Sequence, residues 1–299
     1  SGCGMKNTVQ IGTGDVNGTY YAYGTELAEI LNNNSDVYFK VRKTAGSAAN
    51  LRLISQEYVD IAFVQSDVMK DAYNGTGYFD KEYKGYSAIA GLYTEAIQVA
   101  VPKDSDINSI SDLYGKSVSL GEKESGVLQN SKQILSAYGL NESMVDAKYL
   151  SYTDAAKAMK NGNLDAFFCT AGLTTTIIEE LARECDIRLI SIDDRTIEKM
   201  LSYSNAYSRY TIPAGTYDGQ EEAVNTIGVT SVLVTSDSMS EDLIQQLTSM
   251  LFEKSKELQY STSLDLHLDE KFATSNIPIP FHSGAAKYYE ENGLDVNLQ

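Results

Sequence analysis

Four short apolar runs in this chain each stop in a cluster of small or polar residues where a helical pattern begins. The clusters are Gly12 to Thr19, Gln65-Ser66, Gly121 to Ser125 and Thr170 to Gly172. In open parallel sheets, helices start beyond the carboxyl ends of the strands and ligands bind there. Strand-like and helix-like patterns alternate almost throughout, so the expected fold class is α/β with mainly parallel sheet. Two such sets joined by crossing strands predict a two-lobed molecule with a ligand cleft between the lobes.

The first set comprises strand-like Val37 to Val41, helical Ala48 to Glu57, strand-like Asp60 to Val64 and a helix running through Ala72. Ser87 to Leu92 and Ala96 to Val101 read as two strands crossing between lobes around Tyr93-Thr94-Glu95. The second set has strands at Lys116 to Leu120 and Asp165 to Cys169, with helices at Val127 to Tyr138 and Thr175 to Arg183. Gly139 is placed to stop the first of these helices. Thr226 to Thr235, β-branched and apolar, reads as the return crossing, and Met239 to Tyr260 as one long amphipathic helix. A chain of 299 residues exceeds one ordinary core. The expected division is residues 1–94 plus 226–299 as lobe 1 and 95–225 as lobe 2.

The first cluster is a small-molecule loop. Gly12, Gly14 and Gly18 let the backbone turn tightly and approach a ligand, and the following helix start offers free N–H groups to an anion. It is not a dinucleotide fingerprint, because Asn17 stands where the third glycine belongs and the next strand ends in Arg42-Lys43-Thr44 without an acid for a ribose. No Gly-Lys-Ser/Thr follows, which excludes a P-loop.

The net charge of −17 argues against a nucleic-acid surface or an anionic membrane face. No run of 18 apolar residues occurs, so no spanning helix is expected. Ser1-Gly2-Cys3-Gly4 resembles the tail of a bacterial lipoprotein signal, with Cys3 as the lipidated residue; a plain free thiol is the alternative. Cys169 and Cys185 match no zinc spacing, and two thiols are favoured over a disulfide. No serine-hydrolase elbow, zinc-protease helix or C-x-x-C occurs, and His267 and His282 are the only histidines. His282 reads as fixing the start of the last helix. The sequence calls for no catalytic residue, no metal and no cofactor.

In this order and spacing, the motifs resemble the solute-binding proteins of TRAP transporters, of the TAXI type (TRAP-associated extracytoplasmic immunogenic proteins). They are IGTG…GTYY from Ile11, GSAANLRLI from Gly46, DIAFVQSDV from Asp60, DLYGKSVSLGEKESG from Asp112, LDAFFCTAG from Leu164, IPAGTYDG from Ile212 and IPFHSGAAKYYEENG from Ile279. The resemblance implies a two-lobed periplasmic-binding-protein (Venus-flytrap) fold. It also implies a monomer, outside the cytoplasm as a surface lipoprotein or in the periplasm, that captures a small carboxylate such as L-glutamate for TRAP membrane subunits. A sensing or antigenic lipoprotein of the same fold is the alternative, with a hydrolase behind it.

Carried over residue by residue, the resemblance implies a ligand site drawn from every cluster. Thr13, Asn17, Thr19 and Tyr20 come from the first loop, Ser47 and Asn50 from the second helix start, and Gln65 and Ser66 from the third strand end. Ser125, Gly126 and Val127, with Ala171 and Gly172, face them from lobe 2. Two positions depart from the family pattern: Asp15 adds negative charge beside an anion site, and Val127 replaces a threonine hydroxyl. Tyr93 and Glu95 stand open between cleft wall and inter-lobe packing.

Overall fold

The computed structural model describes residues 8–262, 264 and 268–298. Cys3 and His267 lie outside the described residues. The chain opens with three parallel strands, β1 (Thr8–Gly12), β2 (Tyr38–Arg42) and β3 (Ile61–Gln65), paired in the order β2-β1-β3. Helices α1 (Thr19–Asn34), α2 (Ser47–Ser55) and α3 (Ser66–Asn74) follow them in turn. All five positions of β3 are buried, as expected of a central strand covered on both faces. Helix α1 buries Tyr23, Leu27, Ile30 and Leu31, an apolar stripe at helical spacing.

Strand β4 (Tyr86–Pro102) is one continuous element of 17 residues, where the sequence suggested two strands. Tyr93-Thr94-Glu95 lies in its middle, because its register with β10 (Val224–Ser236) continues through Tyr93, Thr94 and Glu95. At about 3.4 Å per residue, β4 is long enough to serve both lobes. The ladder breaks register at Ser231/Val232 and Leu233/Val234, where bulges add local twist.

The second lobe repeats the scheme with β5 (Ser117–Ser119), β6 (Asp146–Lys148) and β7 (Ala166–Ala171). Helices α4 (Gly126–Ala137), α5 (Tyr152–Lys160) and α6 (Thr176–Glu184) follow them. Gly139, at φ 75°, ends the α4 segment as expected. Strands β8 (Ile187–Leu189) and β9 (Ser208–Ile212), with α7 (Asp194–Tyr203) between them, attach to β4 and β10 respectively. The result is one sheet of order β2-β1-β3-β10-β4-β7-β5-β6, parallel at its two ends and antiparallel through the centre. The expectation of mainly parallel sheet therefore holds for each lobe and fails at the crossing, where two strands run in opposite directions between lobes.

The chain returns to the first lobe through α8 (Glu241–Glu253), α9 (Ser255–Thr262), α10 (Glu270–Thr274) and α11 (Ser283–Glu291). The single long helix expected from Met239 is in fact α8 and α9, separated at Lys254. One apolar core runs from Val9 to Tyr93 and resumes from Val232 to Tyr289. A second joins Ile97, Val99 and Val101 to Ile227 and Val229 through the segments between them. Cys169, buried in β7, and Cys185 are both free thiols. No helix among the described residues is long and apolar enough to cross a membrane.

Candidate functional site

Four helices begin at one cleft: α1 and α2 from the first lobe, α4 and α5 from the second. Its volume is about 60 Å³, room for the centres of roughly four to six water molecules. In α1 the backbone ladder starts with the Ala22 N–H donating to the Gly18 carbonyl, so the N–H groups of Thr19 and Tyr20 precede it. In α4 the Leu128 N–H is satisfied by Ser125 Oγ at 3.2 Å, leaving Gly126 and Val127 in the open first turn. These helix ends present N–H donors and positive dipole ends to the cleft.

Eight of the expected site residues line the cleft: Thr19, Tyr20, Ser47, Gln65, Ser125, Gly126, Val127 and Ala171. Five do not, each for a local reason. Thr13 is wholly buried, and its hydroxyl donates to the Arg42 carbonyl at 2.6 Å. Asn50 is equally buried, and its amide donates to the carbonyls of Thr13 and Phe63, both at 2.8 Å. The Ser66 hydroxyl accepts from the Thr230 N–H at 3.0 Å, tying α3 to β10. Asn17 is exposed and donates to Thr153 Oγ1 in the other lobe. Gly172 faces away, against Leu264 and the Tyr93 ring. Three of these five (Thr13, Asn50 and Ser66) spend their side-chain polar groups on shaping the cleft's frame.

The sequence reading missed part of the second-lobe wall. Leu150, Ser151, Tyr152 and Thr170 all line the cleft. The signal was present: Ser151, with Asp154 three residues on, marks a helix start, and the Ser151 hydroxyl does accept from the Asp154 N–H at 3.1 Å. The Tyr152 hydroxyl is fixed by Thr170, donating to its carbonyl at 3.2 Å and accepting from its N–H at 3.1 Å. His282 caps α11 as expected, its Nδ1 accepting from the Gly284 N–H at 3.0 Å.

The wall carries three carboxylates, Asp15, Glu95 and Glu122, and no arginine, lysine or histidine. Asp15 is engaged across the cleft: its oxygens accept from the Thr153 N–H and hydroxyl, both at 2.9 Å, at the start of α5. Its charge therefore sits at a helix N-terminus of the opposite lobe. Glu122 is partly buried, and burial with Asp15 nearby raises its pKa. Glu95 is 2% exposed, and Oε2 accepts from the Tyr20 hydroxyl at 2.7 Å. Burial pushes its carboxyl up to about 8; the Tyr20 hydrogen bond partly offsets this, and Asp67 adds to it.

The lobes touch through further polar contacts. Gln65 Nε2 donates to Asn130 Oδ1 at 3.0 Å, and Asn130 Nδ2 donates to the buried Asp67 carboxylate at 2.8 Å. Arg52 grips Glu124 with two donors, at 2.7 Å and 3.1 Å. Lys123 lies 5.0 Å from the centre of the Tyr149 ring and is not part of the cleft wall.

The chain is similar in fold to several solved binding proteins. One is the alkanesulfonate-binding protein SsuA from Xanthomonas axonopodis pv. citri, bound to MOPS, at 14% identity over 96% of this chain and 91% of that one, with a TM-score of 0.51. Another is the binding protein component of an ABC phosphonate transporter from Pseudomonas aeruginosa, at 10% identity over 90% and 84%, with a TM-score of 0.55. A third is an ancestral arginine-binding protein bound to arginine, at 13% identity over 86% and 98%, with a TM-score of 0.53. All share the two-domain α/β architecture of periplasmic binding proteins. The model of the NMT1-like family matches residues 11–293. That match spans nearly the whole chain, and the protein therefore belongs to the NMT1-like family.

Proposed function

We propose that this protein is an extracytoplasmic solute receptor that captures a small carboxylate, with glutamate and glutamine as leading candidates, and delivers it to TRAP-transporter membrane subunits. One observation carries the reading: a cleft between two lobes where four helices begin, with first-turn N–H donors left open at α1 and α4. A carboxylate is held there by backbone donors and hydroxyls, around Thr19, Ser47, Gly126 and Val127, without a side-chain cation. Residues 1–94 and 226–299 move as one lobe against 95–225, and closure commits the solute. The protein acts as a monomer and changes no bond in its ligand. The sequence motifs favour TRAP over the ABC partners named for the fold neighbours.

The test is a thermal-shift screen of small carboxylates followed by mass spectrometry. A ligand that binds the folded state raises the melting temperature with its concentration. Stoichiometric binding with the compound recovered unchanged supports the reading, and a new product after long incubation overturns it.

A further inference from the structure

The cleft wall holds a carboxylate that the binding of an anion leaves unused. Glu95 projects from the middle of β4, is buried, and lines the cleft. Its Oε2 is occupied by the Tyr20 hydroxyl, whereas Oε1 has no hydrogen-bond partner among the described residues. That oxygen is also absent from the sealed orphan polar atoms of the interior, which include the hydroxyls of Tyr23, Tyr93 and Ser231. A buried carboxylate oxygen costs free energy unless something donates to it. No basic side chain of the wall does so.

The surroundings favour a cation at this point. Tyr20 stacks on Phe63 with ring centres 5.4 Å apart, and its ring and that of Tyr152 both line the cleft. Aromatic faces beside a carboxylate attract an ammonium group through the ring quadrupole and by direct charge pairing. The charged and titratable groups that act on Glu95 or feel its charge are Tyr20, Tyr93, Tyr152, Cys169 and Asp67, and none carries positive charge. The helix N-termini supply the opposite chemistry across the same small space.

We infer that Glu95 is the cleft's receptor for a protonated amine, so the solute is an amino acid or a comparable small zwitterion and not a carboxylate lacking an amine. This rests on the reading of the cleft as a solute site. The amine binds in its ammonium form, donating to Glu95 Oε1. A Glu95 carboxyl that is protonated beforehand releases its proton to solvent as the pair forms. Tyr20 is a positioning residue that holds Oε2 and leaves Oε1 turned to the ligand.

The experiment compares matched pairs on the intact protein: L-glutamate with glutarate, L-glutamine with glutaramate, and L-alanine with propanoate. The expected result is that at least one amino acid raises the melting temperature while its deamino partner binds at least tenfold more weakly. Calorimetry of that amino acid at pH 7 in phosphate and in Tris is expected to show release of most of one proton, and Glu95→Gln to abolish that release and weaken binding at least tenfold. The proton measurement on the unaltered protein stands even if the variant fails to fold. Deamino carboxylates binding as tightly as the amino acids overturns this inference alone. No binding by either set overturns the carboxylate-receptor reading beneath it as well.

Discussion

The Cα of Gly126, first residue of α4, faces the Gln65 side chain of the other lobe so closely that a methyl group built on it overlaps Gln65 Oε1 and lies 2.9 Å from Ser47 Oγ. The lobes approach here nearly backbone to side chain. A Cβ at this position must either push the Gln65 amide out of its hydrogen bonds to Asp67 and Asn130 or move one lobe relative to the other.

Gly126→Ala therefore separates closure from folding. Alanine is the better helix former, so α4 itself gains slightly. The expected outcome is an unchanged or slightly higher melting temperature for the unliganded protein, with ligand affinity reduced by more than tenfold. Calorimetry beside thermal unfolding reads both quantities. Full affinity in the alanine variant means that the lobes do not close as tightly around ligand as they do here.

Asn130, one turn further along α4, joins the lobes at the same Gln65 side chain, donating to Asp67 and accepting from Gln65 and from the Thr170 hydroxyl at 2.8 Å. Asp67 is buried, and its pKa is raised by that burial while its hydrogen bonds counter it. Asn130→Ala strips the carboxylate of one donor and is expected to cost about 1–3 kcal/mol in ligand affinity. Scattering of the liganded variant should show a larger fraction of open molecules. Affinity within twofold of the unaltered protein excludes this cluster as a closing contact.

The fold was legible because each strand-to-helix junction leaves a local mark. Gly12 to Thr19, Gln65-Ser66 and Gly121 to Ser125 are strand-to-helix junctions whose chemistry is set within a few residues. The site was legible only as far as those junctions. Thr13, Asn50 and Ser66 have the same residue types as true wall residues, and only tertiary contacts show that their polar groups are already spent. Glu95 stood open in the sequence because it lies mid-strand, where alternation alone does not say which face meets a cleft. Arg52, flanking a cluster in sequence, proves to be a lobe-to-lobe ion pair with Glu124.

Arg52→Ala and Lys123→Ala are each expected to change ligand affinity by well under tenfold. The Arg52–Glu124 pair is substantially exposed, and such pairs contribute about 0–1 kcal/mol. Ser125→Ala removes the α4 cap and a hydroxyl at the cleft wall, and should cost about 1 kcal/mol or more. Calorimetry on the three variants decides. Loss of binding in either basic variant means that a side-chain cation holds the anion.

Removing the Tyr20 ring tests wall against core. Tyr20→Ala is expected to weaken binding by about 1–3 kcal/mol, the range for truncating an interface aromatic, with the fold retained. Tyr20→Phe keeps the stack on Phe63 and removes only the donor to Glu95. If Tyr20→Ala unfolds the protein, the ring belongs to the core and not to the site.

The last prediction concerns pH and the unliganded protein. The Glu95 carboxyl titrates near 8 in the folded state against the usual 4.5 for an unfolded chain. Between those values the folded state holds a proton that the unfolded state has lost. The stability from this group is thus fully present below pH 4.5 and is lost as pH rises towards 8, by up to about 1.4 kcal/mol per unit. Asp67, also raised, slopes the same way, whereas His282, buried and lowered, favours the folded state more as pH rises through its own range. Both remain in Glu95→Gln, so the difference between the two proteins reports Glu95 together with its coupling to Asp67. Denaturant unfolding at pH 5, 6, 7 and 8 should show the unaltered protein losing stability relative to Glu95→Gln at each step. An amine-bearing ligand should reverse that loss, because it binds the ionised carboxylate. Parallel stability curves for the two proteins across the range would mean that Glu95 is solvated in the folded state, and that nothing about the cleft makes its ionisation costly.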